Sequence, residues 1–127
     1  MKSVVLIVLL FSSICNYACT TFVIKDKTNL VFGRNLDWVS DKGVAVVNKR
    51  HVAKTSLVFF PEKAISWESK YGSLTFNQFG KEFPFGGINE KGLVIELMLV
   101  DTEYPVYDDR AAINELQWVQ YQLDNCS

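Results

Sequence analysis

The sequence is poor in the residues on which metal centres and histidine-dependent active sites are built. It contains three cysteines and a single histidine, His51, which lies in the stretch NKRHVAK without an acidic neighbour. A Ser–His–Asp or Cys–His arrangement would have to use His51, so such an arrangement has little support, and we interpret His51 as a surface or strand residue. The cysteines lack metal-site spacing and are too few for a disulfide framework. We therefore expect no metal site and no cofactor.

Runs of one charge are also absent. Acidic and basic residues are mixed along the chain, whose formal net charge is −1, and removing Lys2 with a leader would make it −2. There is no basic patch to hold nucleic acid, so we expect no nucleic-acid partner. Apolar residues make up 49% of the sequence, which is typical of a globular and not a disordered protein.

The unbroken apolar run over residues 4–11 has the layout of a secretory signal, with the small residue Ala18 closing the segment. Eight apolar residues are too few for a membrane span, which needs about 20. We expect a signal peptide over residues 1–18 and a secreted or periplasmic protein, although Asn16 stands where a small residue is preferred. The alternatives are an uncleaved anchor, a first hydrophobic strand, or lipidation of Cys19.

β-branched and aromatic segments predict strands through most of the remaining chain. The turn signal DKTN between two such segments predicts a hairpin. Gly86 and Gly87, in a predicted loop, indicate a close backbone approach or positive φ. The predicted strands are residues 20–25, residues from 30 within 30–38, one or two strands within 44–58, a strand–turn–strand within 65–79, and an apolar strand after a turn at 89–92.

Apolar spacing from Ala111 onwards predicts an amphipathic helix, capped by Asp108 or Asp109. Cys126 is expected to be a core residue at its end. Several antiparallel strands followed by one helix predict an α+β layer arrangement. One helix covers a sheet face poorly, so we interpret residues 19–127 as the N-terminal part of a larger domain.

The predicted hairpin brings Cys19 beside the segment RNLD. In one register Cys19 faces Leu36, and in the register shifted by one residue it faces Asp37. Opposed side chains are about 5 Å apart and diagonal ones about 7 to 8 Å. Arg34 and Asp37 are therefore expected near Cys19 in either register.

A cut between Ala18 and Cys19 would place a nucleophile and a base on one residue. A free α-amine titrates near about 7.7 to 8 and a thiol near about 8.5, so the proton passes between them at little cost. The amine can then act as general base and general acid in acyl transfer from an amide. Asp37 can hold the amine, and Arg34 can bind substrate or steady a thiolate. Taken singly, Cys19 is equally well a buried small residue.

The stretches CTTFVIKDKTNLVFGRNLDW and GGINEKGLVIELML resemble the choloylglycine hydrolase superfamily of N-terminal nucleophile hydrolases, which includes penicillin V acylases and bile salt hydrolases. Lysosomal acylethanolamine and ceramide amidases are a weaker match. The resemblance implies an αββα sandwich, incomplete in this chain, with Cys19 as nucleophile. It also implies that Arg34 and Asp37 orient nucleophile and substrate. Asn89, in the NEKGL turn, is interpreted as structural.

The sequence departs from the family pattern in two ways, one of which concerns the substrate and the other the activity of this chain. Leu99 stands where many members carry an Asn or Tyr that serves the oxyanion or pocket, which argues against bile salts and penicillin V. The later active-site Asn and Arg have no counterpart, so activity of this chain alone is not expected. No substrate-binding residue is assigned; aromatic residues that could line an acyl pocket, but are more often core, are Phe59, Phe60, Phe83 and Phe85.

The function predicted from the sequence is hydrolysis of a non-peptide linear amide, an N-acyl amine or N-acyl amino acid, through an acyl-thioester on Cys19. The expected partner is a small acylated amide, and self-association of the full-length protein is left open. The alternative is a non-catalytic secreted β-rich domain with a binding or structural role. The mass of the mature terminus would distinguish the two hypotheses.

Overall fold

A computed structural model describes residues 19–98, 103 and 108–127. The leader predicted over residues 1–18 and the departure at Leu99 lie outside the described residues. The chain divides into two compact units, residues 1–39 and 40–127. The described elements are β1 Thr20–Lys25, β2 Leu30–Asn35, β3 Val44–Asn48, β4 Ala53–Thr55, β5 Lys63–Ala64, β6 Ser66–Glu68, β7 Ser73–Asn77, β8 Pro84–Asn89, β9 Val94–Glu96, β10 Ala111–Ala112 and α1 Glu115–Asn125.

The described part of the first unit contains the predicted hairpin, formed by β1 and β2. Lys25 pairs with Leu30 and Thr20 with Asn35, which is the register that places Cys19 opposite Leu36. The alternative register, shifted by one residue, is therefore wrong.

The turn between β1 and β2 explains this register. The carboxylate of Asp26 accepts hydrogen bonds from the backbone N–H groups of Thr28 and Asn29, both at 2.7 Å, and the Asp26 N–H donates to the Asn29 oxygen. The backbone hydrogen bond from Thr28 and the bonds from Asn29 lower the pKa of Asp26 from 3.8 to about 2. Because Asp26 closes the turn in this way, it cannot also act as a ladder residue opposite Leu30.

The second unit is built around a four-stranded sheet in the order β3-β7-β8-β9, with antiparallel neighbours. A Cβ on Gly87 of β8 would meet the Leu74 oxygen at 2.5 Å and the Cα of Thr75 at 3.0 Å. The expected close approach at this glycine is confirmed, whereas the loop predicted from residue 83 is wrong, since β8 occupies most of it. Gly87 allows β8 to continue as a strand where β7 crowds it.

The two faces of this sheet differ in their surroundings. On one face, alternate residues of β7 are buried, and Ser73 accepts a long hydrogen bond from Gln120 of α1. The opposite face is apolar and exposed. It carries Val47, Leu74, Phe76 and Ile88, which are 76%, 38%, 55% and 42% exposed.

Two short ladders complete the second unit. β4 pairs with β6 antiparallel, and β5 pairs with β10 in parallel, so the expectation of antiparallel strands fails at that one ladder of the described chain. Ala111 and Ala112 form β10 and not the start of the helix, and the Ala112 oxygen accepts from the Ser56 hydroxyl.

The helix begins later than predicted and uses another cap. α1 starts at Glu115, because the side chain of Asn114 accepts a hydrogen bond from the Leu116 N–H at 2.9 Å. Asp108, one of the two caps predicted from the sequence, instead accepts from the backbone and guanidinium of Arg110. Cys126 is exposed, so its prediction as a core residue is wrong.

Candidate active site

Cys19 lies immediately before β1, at the open end of the hairpin. The residue is half-buried, and its Sγ donates a hydrogen bond to the backbone oxygen of Asp37, 3.7 Å away. The predicted proximity of Cys19 and Asp37 is therefore present, but the contact uses the main chain of Asp37 and not its carboxylate.

Arg34 lies in β2 directly opposite Thr21. Alternate residues of a strand share a face, so the register places Cys19, Thr21 and Arg34 on the same side of the hairpin. Cys19 and Arg34 are diagonal neighbours across the ladder, a separation of about 7 to 8 Å that a long side chain can bridge. Arg34 is half-buried.

The carboxylate of Asp37 is oriented by a neighbour that sequence reasoning missed. Asn35 Nδ2 donates a hydrogen bond of 2.9 Å to Asp37 Oδ1. Asn35 is the last residue of β2 and pairs with Thr20, which puts it on the face opposite to Arg34. The signal that could have revealed it is an amide two residues before a carboxylate at a strand end, where local side-chain bonds are common.

His51 is an exposed turn residue with a φ of 58°. Its Nδ1 lies 2.9 Å from Glu68 Oε1. Glu68 is 17 residues away along the chain, so the sequence around His51 does not reveal this carboxylate neighbour. The interpretation of His51 as a surface histidine is confirmed.

The aromatic residues considered for an acyl pocket do not share one environment. Phe85 is buried in the second unit and contacts Phe79, with ring centroids 5.3 Å apart. Phe60 is 97% exposed, and Phe59 beside it is also exposed. Phe85 is therefore a core residue, as the more common case suggested.

Asn89, the first residue of the NEKGL segment, has a structural role, as predicted. Its Oδ1 accepts hydrogen bonds from the backbone N–H groups of Lys91 and Leu93 at 3.0 and 3.1 Å. Its Nδ2 donates to the oxygens of Leu123 and Cys126, at 3.0 and 2.7 Å. One amide thus closes the turn after β8 and caps the carboxyl end of α1.

Residues 19–98, 103 and 108–127 contain no group of three or more His, Cys, Asp or Glu side chains that could hold a metal ion. Across that same part of the chain, no helix has the length and apolar character needed to cross a membrane.

The hairpin, with its cysteine and its RNLD segment, lies within the part of the sequence that matches a known protein family. The family model for linear amide C–N hydrolases of the choloylglycine hydrolase family matches residues 19–127. The chain belongs to this family, whose activity is the hydrolysis of linear amide C–N bonds. A search of curated proteins found no match.

Proposed function

We propose that the protein hydrolyses a non-peptide linear amide, an N-acyl amine or N-acyl amino acid, with Cys19 as nucleophile. The observation that carries the proposal is the position of the Cys19 thiol, bonded to the Asp37 main chain and diagonal to Arg34 at the open end of the hairpin. The family match, which begins at this same cysteine, supports it.

The proposed mechanism requires a cut between Ala18 and Cys19, made as residues 1–18 direct the protein to a secreted or periplasmic location. The α-amine freed by this cut lies on the same residue as the thiol. It takes the thiol proton, because the two groups titrate within about one unit of each other when free. The resulting thiolate is the reactive form of the nucleophile.

Acyl transfer then proceeds in two steps. The thiolate bonds to the amide carbonyl carbon, and the C–N bond breaks as the α-ammonium returns its proton to the leaving nitrogen. The acyl group remains on Sγ as a thioester. A water molecule, deprotonated by the α-amine, attacks the thioester, the C–S bond breaks, and the carboxylic acid leaves as the thiol is re-formed.

Three neighbours of Cys19 have distinct roles in this scheme. The backbone oxygen of Asp37 holds the thiol in place. The side-chain carboxylate of Asp37, oriented by Asn35, attracts the α-ammonium. Arg34 binds the substrate or stabilises the thiolate from the same side of the hairpin.

We further propose that the full-length protein forms an αββα sandwich of which this chain is the front part. One face of the β3-β7-β8-β9 sheet contacts α1, and the other carries exposed Val47, Leu74, Phe76 and Ile88. A contiguous apolar face of this kind is the face that a second sheet covers in a sandwich.

Mass spectrometry of the full-length protein, secreted with its leader, tests the proposal. We expect unmodified Cys19 as the first residue and a covalent acyl adduct on it during turnover of N-acyl amines or N-acyl amino acids. Cys19→Ala should abolish the adduct and Cys19→Ser should greatly slow turnover, whereas the exposed Cys126→Ala serves as the matched control and should retain both. Thiol-dependent turnover by Cys19→Ala, or a mature terminus elsewhere, would refute the mechanism and favour a non-catalytic β-rich domain.

A further inference from the structure

Strand β4 continues beyond its last residue as an exposed apolar segment, TSLVFF, over residues 55–60. Its side chains alternate between exposed and less exposed positions, as in a strand. Leu57 and Phe59 lie in the exposed row, at 51% and 74% exposure, and Phe60 at the end of the segment is 97% exposed. The segment therefore presents an apolar row to solvent.

The composition of TSLVFF is typical of segments that pair with copies of themselves. It combines β-branched and aromatic residues, carries no charge, and contains no proline before Pro61. Segments of about six residues with these properties stack as identical strands from separate chains when their backbone is accessible. An exposed apolar edge strand is a site of self-association for the same reason. Whether TSLVFF pairs with another chain therefore depends on where its backbone hydrogen bonds go.

One edge of the segment is used by the fold. The Ser56 N–H donates to the Ile65 oxygen at 2.8 Å and so extends the β4–β6 ladder. Successive residues of a strand direct their backbone groups to opposite edges, so the N–H and C=O groups of Thr55 and Leu57 point away from β6. Among the described strands, only β6 pairs with β4, so none of them covers this outer edge.

Gln117 of α1 occupies the outer edge instead. Its Oε1 accepts a hydrogen bond from the Leu57 N–H, and its Nε2 donates to the Thr55 oxygen at 3.2 Å. These are the two backbone groups that a residue of a parallel neighbouring strand would bond. Gln117 is 2% exposed, and both backbone groups are already bonded. A second chain therefore cannot pair at this edge without displacing the amide.

We propose that residues 55–60 are a self-association surface for a second copy of this chain, and that the Gln117 amide blocks it. The occupant is a copy of the same segment, because identical TSLVFF strands align in register with apolar side chains against apolar side chains. The inference concerns the second unit alone and holds whether or not Cys19 is a nucleophile.

The variant Gln117→Met in the full-length protein tests the proposal. Methionine has a side chain of similar length, but it cannot donate a hydrogen bond and is only a weak acceptor. We expect the Leu57 amide to exchange with solvent about tenfold faster, or more, than in the wild type. We also expect Gln117→Met to form assemblies that bind thioflavin T, whereas the wild type forms none.

Gln120→Met is the matched control from the same helix. Gln120 is 0% exposed, and its amide donates to Asp124 Oδ1 at 2.8 Å, while the other oxygen of Asp124 accepts from the buried Lys54 ammonium. Its replacement therefore disturbs the buried side of α1 without exposing a strand edge. Compared with Gln117→Met at urea concentrations that leave equal fractions folded, Gln120→Met should not assemble.

Two further variants keep the test decisive if Gln117→Met folds poorly. Gln117→Asn retains the amide but is one methylene shorter, too short to bond both backbone groups, so it should assemble as well. Adding Phe59→Lys to either Gln117 variant should abolish assembly, because each strand of the stack would then carry a charge. Phe59 is exposed, so this replacement should leave the fold intact.

Four outcomes would overturn the proposal. Equal assembly of Gln117→Met and Gln120→Met at matched folded fractions would assign the effect to general destabilisation. Absence of assembly in both Gln117 variants, or assembly that persists with Phe59→Lys, would show that residues 55–60 are not the associating surface. An unchanged exchange rate of the Leu57 amide in Gln117→Met would show that the glutamine does not block this edge.

Discussion

Replacing Asn89 tests how much the side-chain amide of this one residue of the NEKGL segment contributes to the stability of the fold. Asn89 is 4% exposed and makes four hydrogen bonds, two that close the turn and two that cap α1. At about 1 kcal/mol for each bond, Asn89→Ala should cost roughly 4 kcal/mol. That is a large part of a typical stability of about 5 to 15 kcal/mol. For a domain of about 100 residues this corresponds to a thermal midpoint lowered by roughly 15 to 30 °C, and to about half that shift in a domain of about 200 residues.

The variant Asn89→Asp separates the cap from the turn. A carboxylate can still accept from Lys91 and Leu93, but it cannot donate to the Leu123 and Cys126 oxygens and is repelled by them. Those oxygens and burial should raise the pKa of the introduced carboxyl in the folded state. The protonated acid can donate, so the stability it recovers is fully present below the unfolded pKa of about 3.9 and is lost as pH rises through the folded pKa.

Urea denaturation of Asn89→Asp at pH 7 and pH 5 measures this effect. We expect the difference in the free energy of unfolding between Asn89→Asp and the wild type to be smaller at pH 5 than at pH 7. Lys91→Ala is the control from the same turn, since Lys91 is exposed and its Nζ lies over the Tyr71 ring, 5.6 Å from the centroid. If Asn89→Asp were within about 0.5 kcal/mol of the wild type at pH 7, the proposed cap would carry no energy and the reasoning would be refuted.

Three further predictions follow from single contacts. Gly87→Ala should destabilise the second unit by about 2 to 4 kcal/mol in urea denaturation, because the new Cβ meets the backbone of Leu74 and Thr75. Gly43→Ala is the control and should be near neutral, since the nearest atom to its new Cβ is 3.4 Å away. Equal losses of stability in the two variants would contradict this reasoning. The hydrogen bonds to Asp26 lower its pKa to about 2, so they should stabilise the hairpin above about pH 4 and be lost as pH falls through 2. The amide proton shifts of Thr28 and Asn29, followed against pH, measure this loss. A midpoint near pH 4 would disprove the prediction. Asn35→Ala should reduce kcat/KM for amide hydrolysis by about tenfold with an unchanged thermal midpoint, since it removes a hydrogen bond that orients the Asp37 carboxylate; a lowered midpoint with unchanged kcat/KM would assign Asn35 to the fold.

The hairpin could be predicted from the sequence because its determinants are local. The turn residues and both strands lie within residues 20–35, and the pairing that brings Cys19 towards Asp37 needs no distant contact. Its register could not be chosen, since DKTN is compatible with two loop lengths. The hydrogen bonds that Asp26 accepts from Thr28 and Asn29 decide between them.

The second unit was predicted less completely because its determinants are distant. Lys54 and Asp124 are 70 residues apart, and nothing near either residue indicates a buried partner. The helix start was misplaced for a related reason. Aspartate is a common N-cap residue, but the carboxylate of Asp108 accepts a hydrogen bond from Arg110 instead. Residues Ala111–Ala112 pair with β5 in a parallel ladder and so cannot begin the helix.

The two segments that carry the family resemblance do different physical work, and this difference can be measured. Every polar atom of the Asn89 side chain is bonded within the second unit, so its loss should lower stability and activity together. Asn35 and Asp37 lie at an open strand end, where their mutual bond orients one carboxylate. Changes there should lower activity at constant stability. In Asn89 variants kcat/KM should therefore decrease together with the thermal midpoint, whereas in Asn35 variants kcat/KM should decrease at an unchanged midpoint, since only the second group acts on the proposed chemistry without acting on the fold.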